Sequence, residues 1–179
     1  MASVEMADDE FQAFLATNAK LLADNCEEGA ILDMCMDWRG LLNLQLAIRR
    51  AGLEPINLAV WVKSNGGMGS LLRSQHELVL ITKKGKAPHI NNVELGKHGR
   101  YRTNVWRYPG VNSFGKNRME QLGAHPAPKP VAMVADAIRD VSNRGQIVPE
   151  PMKLSSTIWP RLLTSRMASA TIATGLGVG

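Results

Sequence analysis

The hexapeptide at residues 125–130, with the sequence HPAPKP, is the part of this 179-residue chain whose composition best suits ligand chemistry. Pro130 suits the first position of a helix, because its missing N–H would be unpaired there anyway. A helix start also offers free N–H groups and the positive end of the dipole, which favour an anion, and Lys129 adds a full positive charge beside them. The hexapeptide predicts a small anion site, but an ordinary proline-started helix explains the isolated motif about equally well.

Apolar residues at helical spacing follow the hexapeptide and predict an amphipathic helix over residues 130–144. These residues are Val131, Val134, Ala135, Ile138 and Val141, and Gly145 ends the run.

A basic segment lies upstream, at residues 83–118, where nine lysines and arginines stand against Glu94 alone. Aromatic residues are interleaved with them, a pattern that suits phosphate binding and base stacking. Arg100 and Arg102 are the strongest candidates for phosphate contact, because alternate residues of an extended segment point the same way, and Tyr101 is then predicted to pack inward. Arg107 belongs to the same predicted phosphate-binding segment. The alternative is an ordinary solvated loop.

Hydrophobic patterning predicts an α/β fold for the rest of the chain. Strand, helix and strand alternate, which predicts a mostly parallel sheet with flanking helices. The predicted elements are a helix from Asp8 or Asp9 to Gly29, a buried strand at 30–36, a helix at 39–51, a strand at 56–63, a glycine loop at 64–70, a strand at 75–83 and an irregular segment at 85–124.

The order of these features resembles the β class of DNA amino-methyltransferases, over about residues 1–148. The strand at 56–63, the glycine loop, the strand led by Arg73, the basic segment and the hexapeptide carry the resemblance. It implies an incomplete Rossmann-like fold and methyl transfer from S-adenosylmethionine to the exocyclic amine of adenine or cytosine in double-stranded DNA, as in restriction-modification systems.

The resemblance also implies roles for individual residues. His125, Pro126, Lys129 and Pro130 would border the cofactor. Lys63 would end its strand near the substrate cleft, and it joins Arg73, Arg100, Arg102 and Arg107 on the predicted DNA side.

Two signatures of that class do not occur in this sequence. One is the catalytic Asp/Asn/Ser-Pro-Pro-aromatic tetrapeptide, whose polar groups orient the target amine while its ring stacks on the flipped base. The other is the glycine-rich cofactor loop, which should follow Val148. No catalytic residue is therefore assigned, and the expectation is a truncated chain with an open sheet edge that is inactive alone. The alternatives are a nonenzymatic DNA-binding remnant and a subunit completed by a second polypeptide.

The segment at 149–179 is expected to be an unrelated, disordered tail with a replaced or frame-shifted sequence. Cys26 and Cys35 fit neither a metal site nor a disulfide framework, so a reducing cytoplasm is expected. The four histidines show no ligand spacing, and no metal is assigned. No apolar run approaches the ~18 residues of a membrane span, so no membrane partner is expected.

Overall fold

The computed structural model describes residues 7–67, 71–97, 101–110, 129–146, 148 and 171–173. Within them, helices pack on both faces of a five-stranded sheet. The helices are α1 (Asp8–Asp24), α2 (Leu41–Arg50) and α3 (Val131–Val141). The strands are β1 (Ile31–Met36), β2 (Leu53–Val62), β3 (His76–Lys84), β4 (Val105–Arg107) and β5 (Thr171–Ala173).

The sheet has the order β4-β2-β3-β1-β5. The prediction of an α/β fold with flanking helices is confirmed, but the prediction of a mostly parallel sheet is wrong for the described pairs. β2 and β4 pair in parallel, whereas β3 is antiparallel to both β1 and β2, and β5 is antiparallel to β1. The reason is that β2 and β3 form a hairpin that places β3 between β1 and β2, which run in the same direction.

β1 lies deep in the sheet, and all six of its residues are buried, as the sequence predicts. The expected open edge beside it is partly occupied, because β5 pairs with Leu32, Asp33 and Met34. A strand buried over its whole length needs cover on both faces, and two separate helical layers supply it.

The first layer is formed by α1 and α2. In α1, Phe11, Leu15, Ala19 and Leu22 recur at helical spacing and pack with Leu32, Met34 and Met36 of β1. Asp37 organises the start of α2, because its Oδ1 accepts hydrogen bonds from the backbone N–H groups of Arg39 and Gly40 at 2.9 and 3.0 Å.

The second layer is α3, which covers the opposite face. Its buried residues are Met133 and Ala137, which pack with Cys35, Ala59 and Val79 of the sheet. The apolar stripe is therefore rotated from the predicted one. Val131 is 84% exposed, while Val134 and Ile138 pack at the margin of this core.

The predicted elements agree with the described ones to within a few residues. The exceptions are β4 and β5. β4 lies in the segment that the sequence predicts to be irregular, and its three residues are held by pairing with β2. β5 lies in the segment at 149–179 that the sequence predicts to be disordered, and its three residues pair with β1. Cys26 and Cys35 are buried and unbonded to each other. No described helix is long and apolar enough to cross a membrane.

Candidate functional site

Four side chains converge where β2 ends, β3 begins and α3 starts. Trp61 of β2 lies directly opposite Glu77 of β3 in the antiparallel ladder. Lys63 follows the last residue of β2, and Lys129 immediately precedes Pro130, the N-cap of α3. Trp61, Lys63, Glu77 and Lys129 are called the two-lysine cluster below.

The two lysines share one carboxylate. Lys63 Nζ donates to Glu77 Oε1 at 2.5 Å, and Lys129 Nζ donates to Glu77 Oε2 at 2.8 Å. Both ammonium groups also lie over the Trp61 ring, 4.7 and 5.6 Å from its centroid, within the range of cation–π attraction. The Trp61 indole N–H donates to the carbonyl of Tyr108 at 3.0 Å, which fixes the ring. Both ammonium groups thus contact the same Glu77 carboxylate and the same Trp61 ring.

Burial differs across the cluster. The Lys129 side chain is 5% exposed, Glu77 is 14% exposed and Lys63 is 27% exposed. Because a buried charge is costly unless paired, Glu77 is what makes the buried Lys129 ammonium tolerable. Two ammonium groups and one carboxylate leave one formal positive charge, and the more exposed Lys63 is the group that an anion from solvent reaches first.

The predicted cofactor residues divide between described and undescribed parts of the chain. His125 and Pro126 lie outside the described residues. Pro130 is the N-cap of α3, with φ −58° and ψ 127°, one residue before the position that the sequence predicts for it. Lys129 is within the site, but its ammonium group has an internal partner in Glu77.

A second polar group of residues joins α3 to the segment before it. Arg102 Nε pairs with Asp140 Oδ2 at 2.5 Å, and its guanidinium lies 5.1 Å from the centroid of the Trp106 ring. Arg102 Nη1 donates to the Tyr108 hydroxyl at 3.4 Å, and that hydroxyl donates to Asp136 Oδ2 at 2.7 Å. We call these five residues the Arg102 network.

Arg102 and Tyr101 have the reverse of their predicted orientation. Tyr101 is 76% exposed, whereas the Arg102 side chain is 25% exposed and paired with Asp140. The Arg102 guanidinium is already neutralised by Asp140 of α3, so it is less available to a phosphate. This geometry therefore disfavours Arg102 as a DNA contact. Arg100 lies outside the described residues.

A buried acid lies beside this network. Asp33 of β1 is 6% exposed; its Oδ1 and Arg102 Nη2 are both buried without a hydrogen-bond partner among the described residues. Burial is the main cause that raises the pKa of Asp33 from 3.8 to about 7; Asp140 raises it further and Arg102 opposes the shift. In the described part of the chain, no group of three His, Cys, Asp or Glu residues could hold a metal.

The two remaining predicted DNA residues lie in different settings. Arg73 closes the glycine loop, since its Nε and Nη2 donate to the carbonyls of Gly67 and Gly66 at 3.0 and 2.7 Å. Arg107 is exposed on β4, the strand at one edge of the sheet. Lys63 and Lys129 are thus brought together, whereas Arg73 contacts the glycine loop and Arg107 pairs with Val62 of β2.

Sequence reasoning missed Glu77, which links the two lysines. Trp61 is 2% exposed and lies in the core, and its ring also contacts both lysine ammonium groups. Aligning β2 and β3 as a hairpin would have set Trp61 against Glu77 and pointed to this pairing.

Solved structures share this fold. The complex of M1.HpyAVI with SAM matches 72% of this chain and 58% of its own, with a TM-score of 0.51 and 14% identity. TTHA0409 from Thermus thermophilus, assigned as a DNA modification methylase, matches 74% of this chain and 60% of its own, with a TM-score of 0.50 and 15% identity. At these identities the likeness shows the fold, a Rossmann-like methyltransferase fold.

Sequence comparison gives a relative and a family. The type II methyltransferase M2.MboI of Moraxella bovis is 26% identical over 117 residues, which are 62% of this chain and 41% of that protein. The chain thus spans less than two thirds of the length of each of these three proteins. A family model described as DNA methylase matches residues 5–151. The chain therefore belongs to the DNA methylase family, the family of the DNA amino-methyltransferases.

Proposed function

We propose that this chain forms the DNA-facing part, and one wall of the cofactor site, of an S-adenosylmethionine-dependent methyltransferase acting on the exocyclic amine of adenine or cytosine in double-stranded DNA. One observation carries the proposal: in a chain of the DNA methylase family, Lys63 from the predicted DNA side and Lys129 from the predicted cofactor side meet on Glu77. The complex of M1.HpyAVI with SAM supports the choice of cofactor.

Methyl transfer needs groups that this sequence does not contain. The tetrapeptide that orients the target amine and the glycine loop that holds the cofactor are both absent from it. We propose that the chain is inactive alone and that a second polypeptide supplies both elements. Residues 1–148 are the methyltransferase part, β5 from the segment at 149–179 adds a strand to its sheet, and the assembly works on DNA in the cytoplasm.

A transfer assay tests this proposal. Double-stranded DNA and S-adenosylmethionine with a radioactive methyl group are mixed with the chain, with a companion polypeptide bearing the tetrapeptide and the glycine loop, or with both. Label should enter DNA only in the mixture, and a companion whose tetrapeptide aromatic residue is alanine is the matched control. Methyl transfer by the chain alone would contradict the proposal.

Cofactor binding gives a separate test. Calorimetry of the chain alone should give a dissociation constant weaker than micromolar, because micromolar binding needs about 8 kcal/mol and only one wall of the site is in this sequence. Binding at micromolar affinity or tighter would mean that the present residues form a complete cofactor site.

The second candidate function is DNA binding without catalysis, which the exposed Arg107 and the basic sequence segment at 83–118 that contains it favour. This candidate predicts salt-dependent DNA binding by the chain together with an inactive mixture in the transfer assay.

A further inference from the structure

The two lysines that pair with Glu77 differ in how far they are buried. Lys129 is almost fully buried, so its ammonium group depends on the carboxylate. Lys63 is more exposed, and its ammonium group lies within reach of solvent. An anion that approaches from solvent therefore meets Lys63 and competes with Glu77 for it.

The backbone around Lys63 is fixed, so competition acts on the side chain. Lys63 N–H donates to the carbonyl of Gln75 at 2.9 Å, and Gln75 Nε2 donates to the carbonyl of Lys63 at 2.9 Å. The aliphatic stem lies against Gly110, where an added Cβ would come 3.3 Å from Lys63 Cδ. The ammonium group can change partner while the stem stays in place.

We propose that Glu77 is an internal counter-ion which a DNA phosphate must displace from Lys63, and that Lys129 retains the carboxylate when this happens. Glu77 is thus a positioning residue that limits DNA affinity and keeps the cofactor-side lysine neutralised while DNA is bound. The inference rests on the proposed DNA contact of Lys63.

This role predicts a change in DNA affinity opposite to the one that a damaged fold would cause. Removing the Glu77 charge should tighten DNA binding, because the phosphate no longer competes with a carboxylate held at hydrogen-bond distance. A residue that served only to stabilise the fold would weaken binding when replaced.

The decisive variant is Glu77→Gln combined with Lys129→Met. It removes the counter-ion and the buried ammonium together, so no buried charge is left unpaired, and the net charge equals that of the unaltered chain. Its affinity for a short double-stranded DNA should rise several-fold at each of two salt concentrations. Adding Lys63→Met should abolish the gain and reduce the salt slope by about 0.9, the contribution of one phosphate contact.

A charge control compares two single variants, Asp24→Asn and Glu77→Gln. Each raises the net charge by one. Glu77→Gln frees Lys63 and Lys129, whereas Asp24→Asn frees Lys20 at the surface of α1, on the opposite face of the sheet. DNA affinity should rise clearly more for Glu77→Gln. Equal gains would show a general charge effect and overturn the proposal.

Measurement on the unaltered chain removes any dependence on the folding of these variants. In ¹⁵N spectra of the lysine side chains, with Lys63 assigned from Lys63→Met, DNA should shift the Lys63 ammonium signal and leave that of Lys129 nearly in place. A Lys63 signal unaffected by bound DNA would overturn the proposal.

The two proposals fail in different ways. If the unaltered chain binds no DNA at low salt, the proposed function fails. If it binds DNA with the expected salt dependence but the charge-matched double variant binds no more tightly, the role of Glu77 fails alone.

Discussion

At the scale of single residues, Asp33 carries a buried carboxyl group whose Oδ1 has no hydrogen-bond partner among the described residues. Its carboxyl group is buried on the α3 side of β1, near the carboxylate of Asp140 and the guanidinium of Arg102. Two acids compete for one guanidinium that already pairs with Asp140. Burial therefore keeps the Asp33 carboxyl group protonated to a higher pH than an ordinary aspartic acid.

Asp33→Asn should remove a pH dependence of stability. The folded pKa of about 7 exceeds the ordinary value of 3.8, so the folded chain holds this proton more tightly than the unfolded chain. The resulting stability is fully present below pH 3.8 and is lost as pH rises through about 7, a loss of at most roughly 4 kcal/mol. Urea unfolding at pH 5 and pH 8 should show Asp33→Asn gaining relative to the unaltered chain at pH 8. An equal difference at both pH values would refute this account.

Replacing Arg102 should mainly lower stability, whereas replacing Arg107 should mainly weaken DNA binding. Arg102→Ala leaves Asp140 without its guanidinium, so the free energy of unfolding should fall by roughly 2 kcal/mol, less than for a fully buried pair because both groups are partly exposed. Arg107→Ala, on the exposed edge strand, should barely change stability but should weaken DNA binding and lower the salt slope by about 0.9. Thermal melts and DNA titrations at two salt concentrations separate the two effects. The reverse pattern would restore Arg102 as the DNA contact.

At the scale of elements, α3 is fastened at both ends. Lys129 ties its start to β3 through Glu77. Asn92 serves its end, donating from Nδ2 to the carbonyls of Arg139 and Ser142 at 3.0 and 2.8 Å. These carbonyls lie in or just after the last helical turn, where no intrahelical donor remains.

Asn92→Ala should therefore destabilise the chain by about 1–2 kcal/mol, since two carbonyls of the α3 end lose their donor. Asn91→Ala is the comparison, because among the described residues Asn91 Oδ1 accepts only from the nearby Val93 and Glu94 N–H groups. Hydrogen exchange should show faster exchange in α3 for Asn92→Ala alone. Equal effects of the two substitutions would mean that Asn92 stabilises its own loop rather than the helix.

At the scale of the whole molecule, the two edges of the sheet are formed by different kinds of strand. β4 at one edge carries the exposed Arg107, and β5 at the other edge pairs with β1 over three residues. An uncovered edge beside a fully buried strand invites pairing with another chain.

Removing residues 171–179 should therefore increase self-association, measured by sedimentation velocity over a range of concentrations. Removing residues 174–179 alone retains β5 and serves as the matched control. If both truncated chains sediment as the unaltered chain does, pairing by β5 does not protect this edge.

The sequence by itself determined the kinds and approximate bounds of the main elements, because hydrophobic period and glycine positions are local properties of the chain. It also determined the family resemblance, which depends on the order of motifs. The buried run at 31–36 and the helix after Pro130 are examples, and both lie within a residue or a few of their predicted bounds.

Only the tertiary structure decided how these elements meet. Strand direction depended on the β2–β3 hairpin, which places β3 between β1 and β2. Glu77 pairs with Lys63, 14 positions away in sequence, and with Lys129, 52 positions away, and no local pattern encodes this meeting. The outward turn of Tyr101 followed from the attraction between Arg102 and Asp140, a partner supplied by a distant helix. Contacts between distant residues arise from packing, so their partners are fixed only when the chain has folded.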